Sequence, residues 1–222
     1  MTAFPPTAQA PARTGLRRFT GPRPPAVERC ELCGVQVAAG HRHLVDTDRR
    51  ALACACTACA MLFDRSGTGG GRFLTVTDRC LTDPDAALDG DGWTALQIPV
   101  GVVFFLRDAA GDRVTAFYPS PAGATESEAG PALWQTLRDV TPLADQLQPD
   151  VEALLLRRHE QRTECYLVPV DAAYELVGRM RQHWQGFDGG AEARADLDLF
   201  FDNLSRRARR LPPEPDTRGP RP

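Results

Sequence analysis

Cys30-Glu31-Leu32-Cys33-Gly34 and Cys56-Thr57-Ala58-Cys59-Ala60 are two Cys-x-x-Cys pairs set apart by residues 34–55. Two residues between cysteines let a tight turn aim both thiolates at one ion. The small residue after each pair leaves room for backbone N–H groups to approach the sulfurs. Two such knuckles close a tetrahedral four-thiolate site, and His41 to Leu52 is long enough to form a hairpin that brings them together. The spacing predicts a zinc-ribbon or rubredoxin-like module over residues 27–65, with Cys30, Cys33, Cys56 and Cys59 as ligands. Zinc is the expected ion and iron the alternative, because four thiolates accept either. A closed set of four leaves no position for water, which points to a structural role.

The pattern holds more than four ligands. Cys54 stands two residues before Cys56, and on an extended segment the two side chains share a face. Cys54 is therefore a candidate to replace Cys56 or to join a second ion. His43 is a further candidate ligand, and His41 also lies between the pairs.

Working outward, the chain has 222 residues with 26 basic and 29 acidic side chains, a formal charge of −3. All the basic residues are arginine. Both ends are basic and rich in proline, which leaves the middle strongly acidic. An acidic body with short basic tails lacks the basic face of a nucleic-acid-binding domain. The longest apolar run, Ile98 to Leu106, is far short of the ~20 residues of a membrane helix. Met1 to Arg29 shows no apolar core of a secretory signal. A cytoplasmic location follows as the expectation, and in a reducing compartment clustered cysteines read as metal ligands.

Residues 1–26 are expected to be a disordered leader, residues 66–210 an α+β body and residues 211–222 a disordered tail. Within the body, Arg72 to Thr77 is expected as a strand. Leu96 to Leu106 and Arg113 to Tyr118 are expected to form a hairpin. Thr125 or Ser127 is expected to cap a helix through Leu137. Val151 to Arg157 and Glu164 to Val168 read as two further strands. Asp171 is the expected N-cap of a helix over Ala172 to Trp184, with Tyr174, Leu176, Val177 and Met180 at helical spacing. The last helix should run from Ala191 to about Arg207, presenting Leu197, Phe200, Phe201 and Leu204. These elements do not alternate as βαβ units, so the fold class is α+β. Asp150 and Glu152 read as a solvated strand end, Cys80 as a loop thiol and Cys165 as a core residue. The loop from Pro119 to Ser127 lacks any nucleophile or phosphate-binding signature, and nothing in the chain specifies an enzyme.

The strings Cys30 to Cys33, His41-Arg42-His43, Cys54 to Cys59, Leu62-Phe63, Phe117 to Ser127, Asp150 to Arg157 and Val168 to Asp171 carry a resemblance over about residues 27 to 205. They resemble an uncharacterised, mostly actinobacterial family whose genes sit beside those of high-affinity nickel–iron hydrogenases and their maturation factors. In that family the two knuckles, the His-x-His and the extra cysteine recur together, which implies that Cys54 and His43 belong to the site. The resemblance implies a pathway rather than a mechanism. It suggests a metal-binding accessory protein that assists a nickel–iron hydrogenase by binding a subunit or a maturation factor. The alternatives are a rubredoxin-like iron electron carrier and a metal-stabilised enzyme.

Overall fold

The computed structural model describes residues 27–64, 71–86, 93–94, 101–110, 113–159, 162–184 and 190–211. The expected leader, the tail beyond Leu211, the start of the Leu96 segment and the turn after Trp184 fall outside these residues.

The cysteine-rich segment builds a small sheet. β1 (Arg42–Asp46) and β2 (Ala51–Ala55) form the expected hairpin, which turns at Arg50 with a φ of 51°. After β2 the chain makes the single-turn helix α1 (Thr57–Met61), then β3 (Phe73–Thr75), which pairs with the free side of β1. Leu44, Ala55 and Ala60 are buried beneath Phe63 and Phe73, whose rings lie 5.4 Å apart. Five residues make a very small core.

The rest forms one seven-stranded sheet with helices on both faces. In chain order its elements are β4 (Leu81–Asp83), β5 (Val102–Asp108), β6 (Arg113–Ser120), β7 (Gly123–Ala129), α2 (Pro131–Val140) and α3 (Leu143–Gln146). They continue with β8 (Glu152–His159), β9 (Arg162–Pro169), α4 (Val170–His183), α5 (Gly190–Arg207) and β10 (Arg209–Arg210). The strand order is β10-β4-β9-β8-β5-β6-β7, antiparallel throughout except for β10 on β4. The fold is mixed α+β, as the element pattern predicts.

Strand alternation divides the core into two layers. Val103, Phe105, Leu154, Leu156 and Leu167 face α2 and α3, meeting Leu137 and Leu143. Phe104, Leu155, Tyr166 and Val168 face α4 and α5, meeting Leu176, Phe200, Phe201 and Leu204. Phe104 stacks on Phe117 with ring centroids 5.0 Å apart. Central strands covered on both faces read as continuous apolar runs, which is why Val102 to Phe105 and Ala153 to Leu156 show no polar alternation.

Two readings are corrected here. Residues 123–129 form a strand, not the start of a helix. Ser120 Oγ donates to Gly123 O across the turn at 2.8 Å, and Gly123 has a φ of 128° that favours glycine. The helix begins only after Gly130, with Pro131 in its first turn. Glu152 is fully buried rather than solvated. It accepts from Arg79 Nε (2.9 Å) and Nη2 (2.6 Å), from Thr77 Oγ1 (3.0 Å) and from Gln148 N (3.0 Å). Asp150 does not join it; its carboxylate faces the Ala109 amide instead. Cys80 does lie in a loop but is buried against the α4–α5 layer, and Cys165 is in the core as expected.

The small sheet packs on the body through Val45, Leu52, Leu74 and Val76 against Leu106, Val151 and Val170. An Arg50–Asp108 ion pair at 2.5 Å spans the same seam. Among the described residues no helix is long and apolar enough to cross a membrane.

Candidate metal centre

The two knuckles are local structures that the hairpin brings face to face. In the first, Gly34 N donates to Cys30 O at 2.8 Å and Cys30 N donates to Val35 O at 2.8 Å. Gly34 closes this turn with a φ of 77°, a conformation other residues adopt only under strain. In the second, Cys56 caps α1: its sulfur accepts from Cys59 N at 3.5 Å, and its carbonyl accepts from Ala60 N at 2.9 Å. The knuckles meet because Glu31 clamps the edge of β2. Its N–H donates to Cys54 O at 2.8 Å, and its carboxylate accepts from Cys54 N at 2.9 Å.

This places the Sγ atoms of Cys30, Cys33, Cys56 and Cys59 within 4.8 Å of one another. Cys33 and Cys56 sulfurs are 3.8 Å apart. Zinc–sulfur bonds of about 2.3 Å at tetrahedral angles require sulfur–sulfur edges of about 3.8 Å. The residues therefore fit a tetrahedral ion. Cys30 is buried while Cys33 is exposed, so one corner of the centre reaches the surface.

The thiols share charge unevenly. Burial pushes the Cys30 thiol up, but the Cys56, Cys33 and Leu32 amides and the Cys33 thiol together outweigh it and lower it to about 6. Hydrogen bonding to the Cys56 and Cys33 sulfurs holds Cys59 up at about 12. Without a cation, one thiolate is favoured and its neighbours act as donors to it. Metal uptake at neutral pH must then release protons, Cys59 being the costliest to deprotonate. We expect chelator-competition titrations to show affinity rising steeply as pH increases from about 6 to 9, with proton release into a weak buffer. A pH-independent affinity would contradict a thiolate site.

Cys54 and His43, both expected ligands, are not in this group. They come together with each other and with His41, their ligand atoms lying within 4.8 Å of one another. β2 ends at Ala55, and the chain turns into α1 at Cys56. The face shared by residues 54 and 56 on an extended strand is thus divided between two clusters.

One site residue is not recognised in the sequence. Asp171, expected as an N-cap, lies inside the first turn of α4, whose N-cap is Pro169. Its carboxylate instead accepts from His43 Nδ1 at 2.9 Å. That hydrogen bond raises the His43 imidazole above its usual value. No local signal marks a pairing between residues so far apart in the chain.

A match to DUF5947, a family of unknown function, covers residues 29–208. The chain belongs to that family. The DUF5947 match takes in both knuckles, all five helices named above and every strand except β10. No curated protein and no solved structure matches the chain.

Proposed function

We propose that this DUF5947 protein is a metal-binding accessory protein in which Cys30, Cys33, Cys56 and Cys59 hold one structural zinc ion in a zinc-ribbon-like module. The observation that carries the reading is the convergence of four thiols within 4.8 Å. A four-coordinate thiolate centre offers no position for a reacting water, so binding rather than turnover is the natural use. Protein binding is supported by where apolar surface is left open. Val27, Leu32, Val35, Met61 and Leu62 are exposed, and all lie on or beside the knuckles. The partner class we propose, a cytoplasmic hydrogenase subunit or maturation factor, rests on the resemblance drawn from the sequence motifs alone. No enzymatic step is assigned, and the Ser120 hydroxyl is engaged in its own turn.

A second reading is an iron electron carrier using the same four sulfurs. Exposed Cys33 favours it, since electrons enter and leave thiolate centres where sulfur meets solvent. Anaerobic purification followed by elemental analysis and a visible spectrum separates the two. A colourless protein with zinc is expected; intense thiolate-to-iron absorption would establish the carrier. Deletion of the gene should abolish hydrogenase activity even with an artificial dye acceptor. Retained dye activity with lost respiration would favour the carrier, and normal activity in both assays would remove the hydrogenase reading.

A further inference from the structure

We infer that His41, His43 and Cys54 form a second metal site, separate from the four-thiolate centre, which takes a late first-row divalent cation and keeps a coordination position open. The sheet builds the site. His43 and Cys54 are directly opposed in the β1–β2 register, and His41, just before β1, brings its ring up to that of His43. The imidazole rings lie 4.7 Å apart, and the three ligand atoms fall within 4.8 Å of one another.

Both imidazoles are held by one nitrogen, which leaves the other free. His41 Nδ1 faces Ala38 O at 3.1 Å and the Glu28 carboxylate at 3.5 Å. Its side chain is only 8% exposed, and its buried Nε2 has no hydrogen-bond partner. A buried imidazole nitrogen left without a donor costs free energy unless a cation or proton meets it. His43 Nδ1 donates to Asp171 at 2.9 Å, and this carboxylate–imidazole arrangement orients metal-bound histidines and strengthens the free nitrogen as a ligand. The nearby carboxylates Glu28, Glu31 and Asp171 bring negative charge that suits a divalent ion. Two nitrogens and one sulfur match the preferences of zinc, cobalt and their neighbours.

The site differs from the four-thiolate centre in access. His41, His43 and Asp171, though not Cys54, line a cleft of about 950 Å³ that Arg207 and Arg209 also line. With three protein ligands, two of them facing this cleft, the fourth position is left to water or an exogenous ligand. This ion is exchangeable, whereas the thiolate-bound one is structural.

Cobalt(II) titrated into the metal-free full-length chain tests the assignment. Two equivalents should bind, the four-thiolate one with intense sulfur-to-cobalt charge transfer and the other with a much weaker band from a single sulfur. His41→Gln and Cys54→Ser should each lose only the weak-band equivalent. Asp171→Ala should weaken that equivalent about 10- to 100-fold while leaving the intense band unchanged. Retention of the intense band reports that the hairpin is still folded in each variant. A single, intense-band equivalent in the wild-type chain, two equivalents in Cys54→Ser, or loss of both bands in His41→Gln would overturn the second site. A weak band without the intense one would keep this site and instead remove the four-thiolate reading.

Discussion

Cys30→Ser should cost the chain its four-thiolate ion and the ordered structure of residues 27–64, while the seven-stranded body remains folded. The reason is the size of the module's own core. Leu44, Ala55 and Ala60, with Phe63 and Phe73 beside them, bury too little apolar surface to offset ordering the segment. Structural zinc contributes on the order of 10 kcal/mol to modules of this kind. Cys30 is the strategic ligand because it is 1% exposed and the Cys56, Cys33 and Leu32 amides favour its thiolate. A serine hydroxyl there cannot ionise at neutral pH, so three thiols would face the ion across a gap. The expected outcome is loss of the intense cobalt band and rapid proteolysis within residues 27–64. Fragments containing both body core layers should survive, since those layers draw on residues beyond the module. Undiminished four-thiolate binding in both Cys30→Ser and Cys59→Ser would sink the assignment.

What the sequence discloses about this protein follows from how local each feature is. The knuckles depend on residues three apart, and a turn of that length can be read directly. The buried strands β5 and β8 are legible for a similar reason, since sandwiching between helices forces a run of apolar residues. β7 was not legible. It is an edge strand, and exposed Glu126 and Glu128 carry the charge that keeps sheet edges from pairing with other chains. Thr-Glu-Ser-Glu is also what a helix start looks like, and only pairing with β6 decides between them. On α4, the buried residues of this layer are Ala172, Ala173, Leu176 and Val177; Tyr174, expected among them, stays 38% exposed and meets the core only edge-on at the Phe104 ring. Cys54 shows the limit most plainly. Alternation on an extended chain would set it beside Cys56, yet its cluster is decided by where β2 ends and by which residue of β1 faces it. Asp171 and Glu152 owe their roles to partners brought from distant segments, His43 and Arg79, which no spacing rule anticipates.

Arg79→Ala should damage the body as much as truncating a core side chain, lowering unfolding free energy by about 3 kcal/mol. Glu152 is completely buried at the start of β8, and Arg79 meets it with a two-pronged hydrogen bond from the loop after β3. The same guanidinium reaches Gln146 O at the end of α3 at 2.5 Å, so it ties three segments together. Truncation leaves a carboxylate in the interior with only Thr77 and the Gln148 amide as donors, and a buried charge without its counter-ion is far costlier than the pair was favourable. Arg79 is itself about a third exposed, so some water can enter, which places the loss toward the lower end of the range for broken buried pairs. Arg79→Lys should recover only part of the loss, because an ammonium cannot make the parallel contacts of the fork. Thr77→Val, which removes one hydroxyl donor while Arg79 stays in place, should cost about 1 kcal/mol. Urea unfolding of the three variants gives the ordering directly. A loss under about 1 kcal/mol for Arg79→Ala would mean that Glu152 is compensated by something other than this pair. Thr77 and Arg79 also wall the cleft beside His41 and His43. Because Arg79 is itself a cation, its loss from that wall should not weaken the weak-band cobalt equivalent, and the intense four-thiolate band, formed wholly within the small module, should also stay unchanged.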